Sequence, residues 1–102
     1  MRIKYDKLVR DNIPEIIRGK GGSPITHTAD EGEYWVKLKQ KLLEETSEFM
    51  DAESMEELAD VLEVVRAICE YKKYDLKDIE TVRAQKAKER GGFKKRTILD
   101  ES

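Results

Sequence analysis

The sequence predicts an all-α domain. Three long stretches carry apolar residues at three- and four-residue spacing, and each is preceded by a plausible N-cap residue. Only short segments near the two ends show any alternation suited to extended chain. At 102 residues the chain is expected to form a single domain spanning 1–102. A chain of this size buries only about two-thirds of its unfolded surface, so a second copy would help complete its core.

The segment Met1 to Gly22 is mixed; Ile13 to Arg18 can form a short helix with Pro14 in the first turn, where a missing N–H costs nothing. Gly19, Gly21 and Gly22 end it. The segment Pro24 to Thr28 alternates and can be extended. Asp30 opens a long helix to about Ala52, Ser54 opens a second to about Lys73, and Asp75 opens a third that stops at Gly91-Gly92. The tail Phe93 to Leu99 is a further extended candidate that could pair with Pro24 to Thr28. The predicted architecture is therefore a helical hairpin plus a third helix, with short extended N- and C-terminal segments.

At about 100° per residue, Trp35, Leu38, Leu42 and Phe49 share one arc of the long helix, with Tyr34 beside it. On the next helix Met55, Leu58, Leu62, Val65 and Cys69 share a face, while Val61, Val64 and Ile68 widen it beyond half the circumference. That is broader than a monomeric hairpin needs and predicts cover by another subunit. Leu76, Ile79, Val82 and Ala87 form the expected inward side of the third helix.

Charged residues make up 41% of the chain, yet the net charge is only −2. Nucleic-acid polymers are therefore poor candidate partners, since their binders usually show a basic excess. No stretch approaches the roughly 18 apolar residues of a membrane span. The start MRIKYDKLVR does not read as a secretory signal, and the single cysteine, Cys69, has no internal disulfide partner; a cytoplasmic location is the expectation.

Most acids fit a solvated helix surface. Glu45 does not, because it falls inside the arc of Leu38, Leu42 and Phe49, with Glu48 at its border. Glu57 lies between Val61, Val64 and Ile68, and Asp60 sits at the edge of that surface. An ionised carboxylate in an apolar face is costly unless paired or bound to a cation. Glu45 and Glu48 are three apart, as are Glu57 and Asp60, so each pair points one way. A short connection makes the two helices antiparallel and brings both pairs to one end. Oxygen ligands without histidine or thiol suit a hard cation, magnesium or manganese. Other roles fit the same residues. Ser54 and Glu57 match a capping box, and Lys37, Lys39 or Lys41 could form ion pairs with Glu45 or Glu48.

Glu44-Glu45-Thr46-Ser47-Glu48, followed by Glu57-Leu58-Ala59-Asp60, resembles the EExxE…ExxD signature of the MazG-like, all-α nucleoside triphosphate pyrophosphatase superfamily. That group includes dimeric dUTPases, dCTP pyrophosphatases and phosphoribosyl-ATP pyrophosphohydrolase. Lys7 to Pro14 and Lys86 to Phe93 resemble its small single-domain, phosphoribosyl-ATP pyrophosphohydrolase-like or house-cleaning branch. The resemblance implies that Glu45, Glu48, Glu57 and Asp60 bind magnesium, with manganese as a substitute. It implies that water attacks the α-phosphorus of a nucleotide, releasing pyrophosphate and a monophosphate. Glu44 and Glu45 become the catalytic candidates, with Glu44 positioning or deprotonating the water. The family fold further implies a homodimer or homotetramer around a four-helix core. The gap between the acidic motifs is short, eight residues, and base preference does not carry over.

A triphosphate brings about four negative charges, so cations are needed as well as metal. Lys86 and Arg90 share a helical face, and Arg83 precedes Lys86 by three. Lys7 and Arg10 are the other phosphate candidates. All five also fit a solvated basic surface. Trp35 and Tyr34 fit core packing better than base stacking, Cys69 fits the core, and His27 a surface position. Asp11-Asn12 can cap the first helix or read a base. The competing functions are a non-catalytic nucleotide-binding or oligomeric module of the same fold, and an antitoxin-like scaffold whose acids are mere surface.

Overall fold

The computed structural model describes residues 3–102. Within them the chain forms four helices: α1 (Ile13–Gly19), α2 (Glu31–Ala52), α3 (Met55–Lys72) and α4 (Leu76–Arg90). The helix starts follow the sequence signals. Asp30 accepts a hydrogen bond from the Glu33 N–H at 2.8 Å, and Ser54 Oγ accepts one from the Glu57 N–H at 3.2 Å. Asp75 caps α4 through the Lys77 N–H. Asn12 stands at the N-cap of α1 but makes no side-chain cap bond, so of the two roles open to Asp11-Asn12 its side chain does not fill the capping one.

The helix ends are equally local. Behind α1, Gly21 N–H donates to Arg18 O and Gly22 N–H to Ile17 O, a Schellman closure with Gly21 at φ +86°. Helices α2 and α3 instead stop at left-handed Glu53 and Lys73, residues that carry a Cβ and take that conformation at some cost.

Helices α2 and α3 pack against each other as the predicted hairpin. Leu38, Val64 and Cys69 form its buried centre. Toward the start of α2, the Trp35 ring stacks on Tyr71 at 4.9 Å, and Tyr34 meets Tyr71 edge-on. Trp35 and Tyr34 are thus packing residues. Lys39 and Lys72 lie over the Trp35 ring at 5.3 and 5.1 Å. The two apolar sides of α3 part company. Val61, Val64 and Ile68 turn toward the packed interior, while Met55, Leu58 and Leu62 face outward.

Two expectations fail. No strand forms among the described residues, so Pro24 to Thr28 and Phe93 to Leu99 do not pair. A two-stranded ribbon without a third strand or an apolar floor is marginal in water. The stripe Leu76, Ile79 and Val82 is not inward either; all three side chains are exposed, and only Ala87 is partly covered. Three large apolar side chains in a 15-residue helix otherwise dominated by charge give α4 little reason to settle on a hairpin that is already paired. The molecule is elongated, 54 × 31 × 25 Å, with a radius of gyration of 17.9 Å. A compact chain of this length would be near 13 Å. No helix is long and apolar enough to cross a membrane.

Candidate metal and phosphate site

The acids singled out in sequence meet at the loop end of the hairpin. Helical spacing places Glu45 on the inner face of α2, and it is 7% exposed. Glu57 occupies the inner face of α3, with Asp60 one turn on. One carboxylate oxygen from each of Glu45, Glu57 and Asp60 lies within 4.8 Å of the others. Oε2 of Glu45 and Oε2 of Glu57 are buried without a hydrogen-bond partner. Buried acceptors are rarely left unmade, because the lost hydration costs about 1–3 kcal/mol. The Ser54–Glu57 pair forms only the backbone-to-serine half of a capping box securely, since Glu57 keeps an orphaned oxygen. Two unmade acceptors beside a third carboxylate are a donor set that fits a hard cation.

Cations stand on the other side of the cluster. Lys41, one turn before Glu45, reaches Glu44 at 2.6 Å and Glu45 at 3.1 Å. The N-terminal segment crosses the hairpin and is tied down by charge. Lys7 meets Glu44 at 2.7 Å, and Arg10 meets Asp60 at 2.7 Å. Lys37 donates to the Asp6 carbonyl at 2.6 Å. Burial works against the Lys41 ammonium, but its bonds to Glu44 and Glu45 outweigh that and raise its pKa. For Glu44, burial pushes upward, yet the hydrogen bonds from Lys41 and Lys7 win and lower its pKa.

A cavity of about 330 Å³ opens between these groups. Lys7, Arg10 and Lys41 share its wall with Glu45 and Asp60. Val9, Ile13 and Ile17 supply an apolar side. A smaller hollow of about 260 Å³ lies beyond Lys7 and Lys41 toward Lys37 and Glu44.

Of the four acids expected to act together, Glu45, Glu57 and Asp60 converge, whereas Glu48 is exposed on α2 outside the trio. Of the cation candidates, Lys7 and Arg10 reach the cluster. Arg83, Lys86 and Arg90 are exposed on α4, line neither cavity, and Arg83 is bound to Glu80 at 2.6 Å. His27 is exposed and meets Glu33 at 2.9 Å. Lys41 is more than the surface partner its sequence position offered, for it joins Glu44 and Glu45 from a largely covered position. The cavity side Val9, Ile13 and Ile17 was not recognised in sequence, although its residues are spaced four apart, as one helical face would be.

The chain matches no known family model and no solved structure. A 48-residue stretch is 46% identical to a protein of Mycolicibacterium smegmatis described only as uncharacterized. The match takes in 47% of this chain and 49% of that protein, about half the length of each.

Proposed function

We propose that this chain is a magnesium-dependent pyrophosphohydrolase. In this reading it converts a nucleoside triphosphate, or a related phosphoanhydride nucleotide, to the monophosphate and pyrophosphate in nucleotide-pool house-cleaning in the cytoplasm. The observation that carries the reading is the pair of buried, unpartnered oxygens on Glu45 and Glu57, clustered with Asp60; Glu45 and Asp60 also line a cavity that presents cations. The MazG-like motif resemblance supplies the reaction type.

Glu45, Glu57 and Asp60 would hold the metal, with Glu48 able to join only if its side chain turned inward. Bound magnesium, or manganese in its place, would neutralise charge on the phosphate chain and polarise its oxygens. Lys7, Arg10 and Lys41 would orient that chain and hold it against the acids. Arg10 is held by Asp60, so occupation of that carboxylate by a cation would release Arg10 toward phosphate, while Lys41 would keep its bond to Glu44. Glu44, kept ionised by two lysines, is better suited to anchoring Lys7 and Lys41 than to taking a proton from water. Glu45, with one free oxygen toward the cluster, is the stronger candidate to position water. Arg83, Lys86 and Arg90 could reach a site only by movement of α4 or from a second copy. Exposed Leu58, Leu62, Leu76, Ile79 and Val82 favour such a copy, in a homodimer or homotetramer with a four-helix core.

The test is pyrophosphate release across canonical, deoxy and oxidised nucleoside triphosphates with magnesium or manganese. Activity on at least one is expected, lowered more than about 100-fold by Glu45→Gln and by Asp60→Asn with helicity retained. Full activity in those variants would refute the metal assignment. Nucleotide binding without turnover in the parent protein would instead favour the non-catalytic module.

A further inference from the structure

We infer that the N-terminal segment is a displaceable strap that competes with the metal: Arg10 neutralises Asp60 in the metal-free protein, and a divalent cation taken up by Glu45, Glu57 and Asp60 loosens the segment from the hairpin. The inference rests on the metal assignment proposed above and adds a form of regulation to it.

The strap is held by charge and by little else. Lys7 Nζ meets Glu44 at 2.7 Å, Arg10 meets Asp60 at 2.7 Å, and Lys37 Nζ donates to the Asp6 carbonyl at 2.6 Å. Tyr5, Lys7 and Arg10 are exposed, and Leu8 and Val9 are only half-buried. Hollows remain where the strap meets the hairpin. One, of about 260 Å³, is lined by Asp6 and Leu8 together with Lys37 and Gln40. The other, of about 330 Å³, is lined by Val9 and Arg10 together with Glu45 and Asp60. Helix α1, which follows, has no buried residue and gives the segment no deep anchor. The Arg10 side chain is 55% exposed, and ion pairs so open to water hold weakly. A strap tied in this way can be displaced without unfolding the hairpin.

The competition is built into Asp60. Its carboxylate is the partner of Arg10 and also a member of the acidic trio, whose oxygens lie within 4.8 Å of one another. Glu45, in the same trio, is 7% exposed and has an oxygen with no hydrogen-bond partner, so the cluster is short of positive charge even with Arg10 in place. A divalent cation and a guanidinium on so small a cluster repel each other. Arginine does not shed its charge near neutral pH, so Arg10 makes way only by moving. Its departure leaves the strap on Lys7 and Lys37 alone. Coupling of this kind is reciprocal: the factor by which metal loosens the strap is the factor by which the strap weakens metal binding. With exposed ion pairs as tethers that factor is small, about fivefold.

Two measurements on the full chain test this. One is magnesium binding by calorimetry. The other is the rate at which trypsin cuts the Lys7–Leu8 bond, taken relative to its rate at Lys94 in the exposed tail of the same protein. Magnesium is expected to speed the Lys7–Leu8 cut about fivefold in the parent protein. Arg10→Gln is expected to be cut at the faster rate with or without magnesium, and to bind magnesium about fivefold more tightly. Lys37→Met severs a tether that lies outside the lining of the acidic cavity, and it too is expected to speed the cut. Three results overturn the strap and leave the metal site standing: magnesium that binds the parent without changing the cut rate, an Arg10→Gln affinity within about twofold of the parent, or a Lys37→Met protein cut as slowly as the parent. Absence of magnesium binding in both the parent and Arg10→Gln overturns the metal assignment and the strap with it.

Discussion

In the α2–α3 hairpin, apolar residues at helical spacing close over one another and carry carboxylates inside with them. In α4 the same kind of spacing leaves Leu76, Ile79 and Val82 in solvent, with Arg83, Lys86 and Arg90 equally exposed. The difference lies in the partner. Helix α2 has α3 along its length, and the inner face of α3 is apolar apart from Glu57 and Asp60. Helix α4 has no comparable partner within the chain. Periodicity specifies a face, and whether the face is buried depends on what else the chain can bring to it.

Substitutions in the two regions should differ accordingly. Leu38 is 1% exposed, and Leu38→Ala should cost roughly 2–4 kcal/mol in urea unfolding. Val82 is half exposed, so Val82→Ala in dilute protein should stay within about 0.5 kcal/mol. Comparable losses at both sites would show that α4 is covered in solution. A concentration-dependent loss at Val82 would identify a second copy as the cover.

The acidic cluster sharpens the contrast from within the hairpin. Without metal, Glu57→Leu should raise stability by about 1 kcal/mol, because it removes a buried oxygen with no partner. The same change should abolish any rise in Tm on adding magnesium. A stability loss in chelator would mean that the Glu57 carboxylate is satisfied in the metal-free protein.

A smaller effect is expected at the C-terminal end of the hairpin. Lys73 stands at φ 60° after α3, so Lys73→Gly should stabilise by roughly 0.5 kcal/mol in thermal unfolding. An unchanged or lowered Tm would mean that the lysine side chain offsets its backbone strain.

The smallest expected effect is the pH dependence contributed by Glu44. Its folded pKa is lowered by Lys41 and Lys7, so its stabilisation is present above the ordinary carboxylate value and disappears as pH falls through the lowered one. Lys41 has a raised pKa, so its share is present below the ordinary lysine value and is lost as pH rises through the raised one. Glu44→Gln should therefore be less stable than the parent near neutral pH, by a few tenths of a kcal/mol, and match it in strong acid. A gap that persists in acid would point to packing rather than charge.

Much of the fold was legible because its signals are local. Asp30, Ser54 and Asp75 mark helix starts by bonds to N–H groups two or three residues on, and Gly91 marks an end. The misplaced acids Glu45 and Glu57 were legible because helical spacing set them among apolar neighbours. Glu48 was less so: three residues from Glu45 puts it on the border of the face, and which side of a border is buried depends on the crossing helix. The extended segments were misread because alternation creates a strand only where another strand is present to pair with it.

Residue order alone therefore established the all-α class, the hairpin and the inward pointing of Glu45 and Glu57, since those follow from 3.6-residue periodicity and chain connectivity. Tertiary structure decided the rest. It laid the N-terminal segment across the hairpin, set Lys7 and Arg10 against Glu44 and Asp60 from 37 and 50 residues away, and left α4 outside. Contacts at that separation arise from competition among whole surfaces for cover and counter-charge, which no local spacing records.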